Sequence, residues 1–115
     1  VLASALCINK HATNEFLKNR GFCAPDNDLM SHQSWQDSVQ NNSFIQPSFG
    51  FPCIVKPHDD GCSVMISKVH DLVELQHVLD TVFSSGKKYA LIEEFVCGTE
   101  LTVGVVGNDT IVALP

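Results

Sequence analysis

The stretch Phe51-Pro52-Cys53-Ile54-Val55-Lys56-Pro57-His58-Asp59-Asp60-Gly61-Cys62-Ser63-Val64-Met65-Ile66-Ser67-Lys68 decides the reading of this chain. It divides into a short apolar strand carrying one lysine, a tight polar loop, and a second apolar strand expected to pair antiparallel with the first. Alternation over 53–56 sends Cys53 and Val55 to one face and Ile54 and Lys56 to the other. A lysine in an otherwise buried run has to offset its desolvation with a partner or a ligand. Behind it, residues 59–63 supply a glycine and small side chains whose backbone N–H groups can close around an anion. Strand, lysine and loop together suggest phosphate binding, and the competing reading is a strand-end lysine whose head reaches solvent. Neither a Walker A loop nor a G-x-G-x-x-G fingerprint occurs.

Outward from this stretch, residues 9–20 read as a helix with Asn9 as its cap, Ala12, Phe16 and Leu17 along one face, and Gly21 as its stop. Lys10 then falls in the first turn, where a cation opposes the helix dipole; a solvated surface lysine is the alternative to a functional one. Residues 22–25 read as extended before Pro25. Residues 26–47 are polar and irregular, with a weak helix over 31–40. Downstream, 64–69 is the second strand, and 71–85 the clearest helix: Asp71 and Glu74 form a capping box, Leu72, Leu75, Val78, Leu79, Val82 and Phe83 one stripe, and Gly86 the end. A third strand, 89–96, places Glu93 and Glu94 on opposite faces. It is expected to continue as a meander through strands at 100–106 and 110–114, joined by the turns Cys97-Gly98-Thr99 and Gly107-Asn108-Asp109. The predicted class is α+β, a mainly antiparallel sheet with helices packed on one face, built as a single domain over residues 1–115.

The bulk numbers fit that picture. The 115 residues suffice for one modest core, and 44% apolar content argues against disorder. Starting at Val1 and stopping after an apolar run, the chain reads as a piece of a longer protein. The apolar start, residues 1–8, lacks a basic flank and is not read as a signal peptide. No run approaches membrane-spanning length, so no membrane role is expected. Seven basic against thirteen acidic residues, a formal charge of −6, speak against nucleic acid as a partner but not against a single nucleotide. Five widely spaced cysteines without a C-x-x-C pair fit reduced thiols and a cytoplasmic location.

Two further constellations carry chemistry. Glu93, Glu94 and Glu100 stand at a strand end and past a glycine turn, where carboxylates can accept from an amino group and from ribose hydroxyls, with Phe95 and Val96 walling a base. A solvated edge with a turn glutamate is the simpler alternative. His58, Asp59, Asp60 and Cys62 invite a metal site or a cysteine nucleophile. Ligands packed into consecutive residues rarely converge on one ion, however, and nothing in the sequence pairs a histidine with Cys62.

Several motifs in order, Pro52-Cys53-Ile54-Val55-Lys56-Pro57, Gly61-Cys62-Ser63-Val64, Ser67-Lys68-Val69, Ile92-Glu93-Glu94-Phe95-Val96 and Gly98-Thr99-Glu100-Leu101-Thr102-Val103, resemble the central domain of D-alanine:D-alanine ligases, which are ATP-grasp enzymes. Ser4-Ala5-Leu6 through Asn9-Lys10 is similar to that family's entry into the domain, so the resemblance spans the chain. It implies an ATP-binding ATP-grasp subdomain in which Lys10 and Lys56 hold the phosphates and Gly61, Cys62 and Ser63 lie on a loop closing over phosphate and substrate. It further implies that Glu93 meets the adenine amino group, Glu94, Phe95 and Val96 line the base, and Glu100 takes the ribose hydroxyls.

The reaction implied joins two D-alanines through an acyl phosphate at the expense of ATP, for peptidoglycan and hence cell-wall biogenesis and cell shape, in the cytoplasm of a bacterial type of cell. Magnesium ligands are expected outside this chain, with none within it, and this piece alone is expected to be inactive. The resemblance is compatible with a homodimeric full-length enzyme. The alternatives carried are another ATP-grasp carboxylate-amine ligase and a non-catalytic nucleotide-binding module. Four departures stand out: Cys62 and Met65 replace a serine and a glycine, His58-Asp59-Asp60 adds negative charge, and Glu94 stands where a lysine is common.

Overall fold

A computed structural model describes residues 2–44, 46–58 and 65–115. Four helices, α1 (Leu2–Ile8), α2 (Lys10–Lys18), α3 (His32–Gln40) and α4 (Leu72–Ser84), accompany six strands: β1 (Asn27–Ser31), β2 (Cys53–Pro57), β3 (Ser67–Val69), β4 (Tyr89–Glu94), β5 (Val105–Val106) and β6 (Val112–Ala113). Four strands form one antiparallel sheet in the order β1-β4-β2-β3, and β5 and β6 pair separately. The fold is α+β, as expected.

Strand β4 is central because Ala90, Leu91 and Ile92 are all buried, and a run of consecutive apolar residues suits a strand covered on both faces. Its neighbours are β1 and β2, not the strands that follow it. The expected pairing of strand 89–96 with the strand after it is therefore wrong, whereas the last two strands of the expected meander do pair antiparallel with each other. Burial on both faces draws β4 into the middle of the sheet, while β5 and β6 remain exposed along their length. Strand β1 arises inside the segment read as irregular. Asn27 and Asp28 have poor strand propensity, and it is the backbone edge of β4 that recruits them, with Asn27 opposite Glu93 and Ser31 opposite Tyr89. Helix α1 was not foreseen either.

One face of the sheet carries Cys53, Val55, Val69, Ala90 and Ile92, and packs against Leu75, Leu79, Val82 and Phe83 of α4 and Trp35 of α3. Each Val, Leu, Ile and Phe among them contributes about 1.5–3 kcal/mol of apolar transfer. Trp35 Nε1 donates to Asp80 Oδ1 at 2.9 Å, tying α3 to α4, and His32 stacks on Phe83 with centroids 5.1 Å apart. Cys53 is fully buried, and burial pushes its thiol up to about 11, so it stays protonated.

Helix α4 begins at Asp71, whose side chain accepts from Glu74 N at 2.8 Å, the expected cap; Glu74 Oε2 reaches back to His70 N rather than to Asp71. Asp71→Ala is expected to cost about 1 kcal/mol in thermal or urea unfolding. A loss below about 0.3 kcal/mol would mean that water replaces the cap.

Candidate nucleotide-binding site

The opposite face of the sheet follows from the same register. Ile54 and Lys56 on β2 lie across from Glu93 and Leu91 on β4, Lys68 on β3 across from Ile54, and Asn27 on β1 across from Glu93. Alternation therefore gathers Lys56, Lys68, Glu93 and Asn27 on one side, away from α4. Helix α2 approaches this side. Asn14 Nδ2 donates to Glu93 Oε2 at 3.2 Å, and His11 Nδ1 lies 2.6 Å from Asn27 Oδ1. The helices facing the apolar core are thus α3 and α4, while α2 borders the polar face.

Lys56 Nζ lies 3.0 Å from Glu93 Oε1, with side chains 19% and 15% exposed. The partner required by a lysine in a buried run is this carboxylate, placed there because Lys56 and Glu93 occupy adjacent register positions on neighbouring strands. Such a pair offsets the desolvation of both ions, and its covered position shields it from salt.

Lys10 opens α2, half-buried, one turn before Asn14 and hence on the same helical face. Asn9 caps the helix as expected, accepting from Ala12 N at 2.9 Å. The far end of α2 is anchored by Lys18, whose ammonium donates to Asp26 Oδ1 at 2.7 Å; that hydrogen bond raises the lysine's pKa. Asp26 N in turn donates to Glu94 Oε2 at 3.1 Å, and Glu94 N to Asp26 O at 2.7 Å. Glu93 and Glu94 do face opposite sides, one held by Lys56 and Asn14, the other by the segment before β1.

Beyond β4, Phe95 carries the Lys68 ammonium 3.7 Å from its ring centroid, while Val96 and Glu100 are exposed. A hollow of about 370 Å³ is lined by Phe95, Val96, Cys97, Gly98, Thr99 and Glu100. Another of about 400 Å³, lined by Trp35, Asp80 and Phe83 among others, sits between α3 and α4 on the other face and is remote from Lys56. Gly61, Cys62 and Ser63, the expected loop, lie outside the described residues, as do Asp59 and Asp60 of the metal reading. Among the described residues no three His, Cys, Asp or Glu side chains group as a cation site. No described helix is long and apolar enough to cross a membrane.

Met65, the departure expected to restrict the backbone, sits at φ 65°. A non-glycine residue there is strained by about 1 kcal/mol, and packing against the core offsets part of it. Two residues went unassigned in the sequence: Asn14, four residues after Lys10 on the same helical face, and Lys68, which the register of β3 places across from Ile54 on the Lys56 side of the sheet.

A central strand pair presenting a lysine–glutamate couple, bordered by a helix with a lysine in its first turn, defines a protein with an ion-paired polar face on an antiparallel sheet. The chain belongs to the family described as D-ala D-ala ligase C-terminus, whose family model matches residues 16–115. A D-alanine–D-alanine ligase of Chlorobium luteolum is 38% identical over 116 residues, covering 100% of this chain and 32% of its own length. The chain spans about a third of the curated relatives it matches. Among solved structures, the VanG D-Ala:D-Ser ligase of Enterococcus faecalis superimposes with a TM-score of 0.79 at 23% identity, over 97% of this chain and 32% of that one, a likeness of fold. The D-alanine–D-alanine ligase of Bacillus anthracis complexed with ATP gives 0.66 at 26% identity, over 84% and 30%.

Proposed function

We propose that this chain is the central, ATP-binding subdomain of a D-alanine:D-alanine ligase, residues 1–115 acting as one unit within a longer enzyme. The observation that carries the reading is the Lys56–Glu93 pair at 3.0 Å, with Asn14 of α2 on the other carboxylate oxygen. It puts a cation for phosphate and an acceptor for an amino group side by side on two adjacent strands. Membership of the family supports it, as does the ATP bound by the Bacillus anthracis relative.

In this reading Lys56 and Lys10 neutralise the triphosphate while backbone amides of the 61–63 loop, Gly61, Cys62 and Ser63, close over it. Phosphoryl transfer gains mainly from such positioning and charge neutralisation. Glu93 accepts from the adenine amino group, Glu94 through Val96 form the segment against the base, and Glu100 takes the ribose hydroxyls. Magnesium, whose ligands would belong to another part of the enzyme, would supply further neutralisation of phosphate charge. One D-alanine carboxylate attacks the terminal phosphorus, releasing ADP and forming an acyl phosphate. The amine of the second D-alanine then attacks the acyl carbon, phosphate leaves, and the dipeptide is available for peptidoglycan synthesis in the cytoplasm. The exposed apolar side chains of Leu101, Val103, Val105 and Ile111 fit a hairpin that a further layer covers in the longer enzyme, which itself is compatible with a homodimer.

The test is ADP release by the full-length protein with D-alanine as sole amino acid. D-alanine-dependent ADP and stoichiometric dipeptide are expected. Turnover only with another amine would reassign the enzyme within the ATP-grasp ligases. ATP binding without turnover of any amine would leave a nucleotide-binding module.

A further inference from the structure

We propose that Asn14 is a positioning residue that sets the site's preference for a 6-amino over a 6-oxo purine. The inference rests on the nucleotide reading above and names what makes Glu93 selective. Glu93 is held from two elements at once: Lys56 of β2 on Oε1 at 3.0 Å and Asn14 of α2 on Oε2 at 3.2 Å. Because an ionised carboxylate only accepts, the Asn14 amide must present its nitrogen here, which fixes the side chain's orientation.

The two bonds differ in what happens when a triphosphate arrives. Lys56 is a flexible point charge, and phosphate oxygens compete with Glu93 for it. Asn14 carries no charge to be drawn away, so it remains the donor on Glu93. A carboxylate on a single mobile partner turns freely about its last torsion, which is broad and two-fold. A second donor anchored in a helix holds the carboxylate plane. Helix α2 is itself fixed at both ends, by the Asn9 cap and by the Lys18–Asp26 pair.

The consequence is chemical. Each carboxylate oxygen has two accepting directions, so one bond from Lys56 and one from Asn14 leave acceptor capacity on each. A neutral amide orients the anion without cancelling its charge, and Glu93 stays a charge-assisted acceptor for an N–H₂ group. A 6-oxo base presents a lone pair to the same fixed anion and is repelled. Removing Asn14 frees the carboxylate to turn away, which weakens the amino contact and relaxes the repulsion together.

The experiment measures equilibrium binding of ATP and of inosine triphosphate to the full-length protein, wild type against Asn14→Leu and Asn14→Gln, with unfolding melts alongside. For Asn14→Leu, ATP affinity is expected to fall roughly fivefold to tenfold, the loss of one hydrogen bond to a charged group, while inosine triphosphate binds as well as before or better. The ratio of the two affinities falls by at least that factor. Asn14→Gln, which keeps the amide, is expected to recover part of the ratio. Should Asn14→Leu fail to fold, the isosteric Asn14→Asp sets a carboxylate against Glu93 and is expected to lower the ratio too. A packing role alone would weaken both nucleotides equally and leave the ratio unmoved, which would overturn the proposal. Wild-type protein that binds neither triphosphate would overturn the nucleotide reading itself, an outcome distinct from an unmoved ratio.

Discussion

Lys56→Ala is expected to weaken ATP binding by the full-length protein by roughly 30-fold or more, about 2 kcal/mol for losing one partner of a covered charge contact. The lysine lies on a strand with only 19% of its side chain exposed, so neither solvent nor a neighbouring flexible residue readily substitutes for it. Truncation also leaves the Glu93 carboxylate, itself 15% exposed, with the Asn14 amide donating to it and no cation at 3.0 Å. Removing one ion of a fully buried pair costs 3–5 kcal/mol. The partial exposure of both groups here reduces that to about 1–2 kcal/mol of folding stability. Loss of affinity should exceed loss of stability, because the triphosphate concentrates more charge on Lys56 than a single carboxylate does. Calorimetric titration with ATP and a urea melt of the same variant separate the two. Unchanged ATP affinity would remove Lys56 from the phosphate site and leave it a structural partner of Glu93. A double replacement, Lys56→Met with Glu93→Gln, tests the split: it removes both charges, so stability should recover relative to Lys56→Met alone while ATP binding stays lost.

What the sequence disclosed and what it hid follow from the same physics. Helix α4 was legible because its apolar stripe, its Asp71 cap and Gly86 all agree, and each is a local property. The two faces of β2 were legible because alternation is local too. The position of β1, and the separation of β5 and β6 from β4, were not. β1 is recruited by the open edge of β4 against the propensity of Asn27 and Asp28, so nothing within residues 26–31 announces it. The strands after β4 follow it in sequence, and adjacency suggested pairing. The clue against that was in Ala90-Leu91-Ile92, a run without polar alternation, which calls for cover on both faces.

At the site, Lys56 was singled out by the cost of burying a charge, and Glu93 by its place near a strand end. That the two are each other's partners is a matter of register between strands 37 residues apart, which periodicity within either strand does not reveal. Asn14 was invisible for a related reason: a mid-helix asparagine is unremarkable until the strand it touches is known.

Leu91→Ala should separate the two sides of the sheet. Leu91 is fully buried, yet its neighbours in register are Leu29 and Lys56, on the polar-site face and not on the face packed by α4. Leu79 of α4 is buried to 1% exposure and belongs to the apolar core on the opposite face. Truncating either leaves a cavity and is expected to cost about 2–5 kcal/mol, enough to lower the melting temperature by roughly 10 °C or more in a chain of this size. The consequences for ligand binding differ. Leu91 lies across from Lys56 and two residues before Glu93 on the same face, so a cavity there lets both ends of the ion pair shift. ATP affinity is expected to fall severalfold in Leu91→Ala under conditions where the variant is still folded. Leu79→Ala, equally destabilised, should bind ATP as the wild type does, since α4 packs on the opposite face of the sheet. Thermal melts and ATP titrations at a temperature well below both transitions make the comparison. Equal loss of affinity in the two variants would mean that stability alone controls binding, whereas loss confined to Leu91→Ala would fix the nucleotide on the Lys56 side of the sheet.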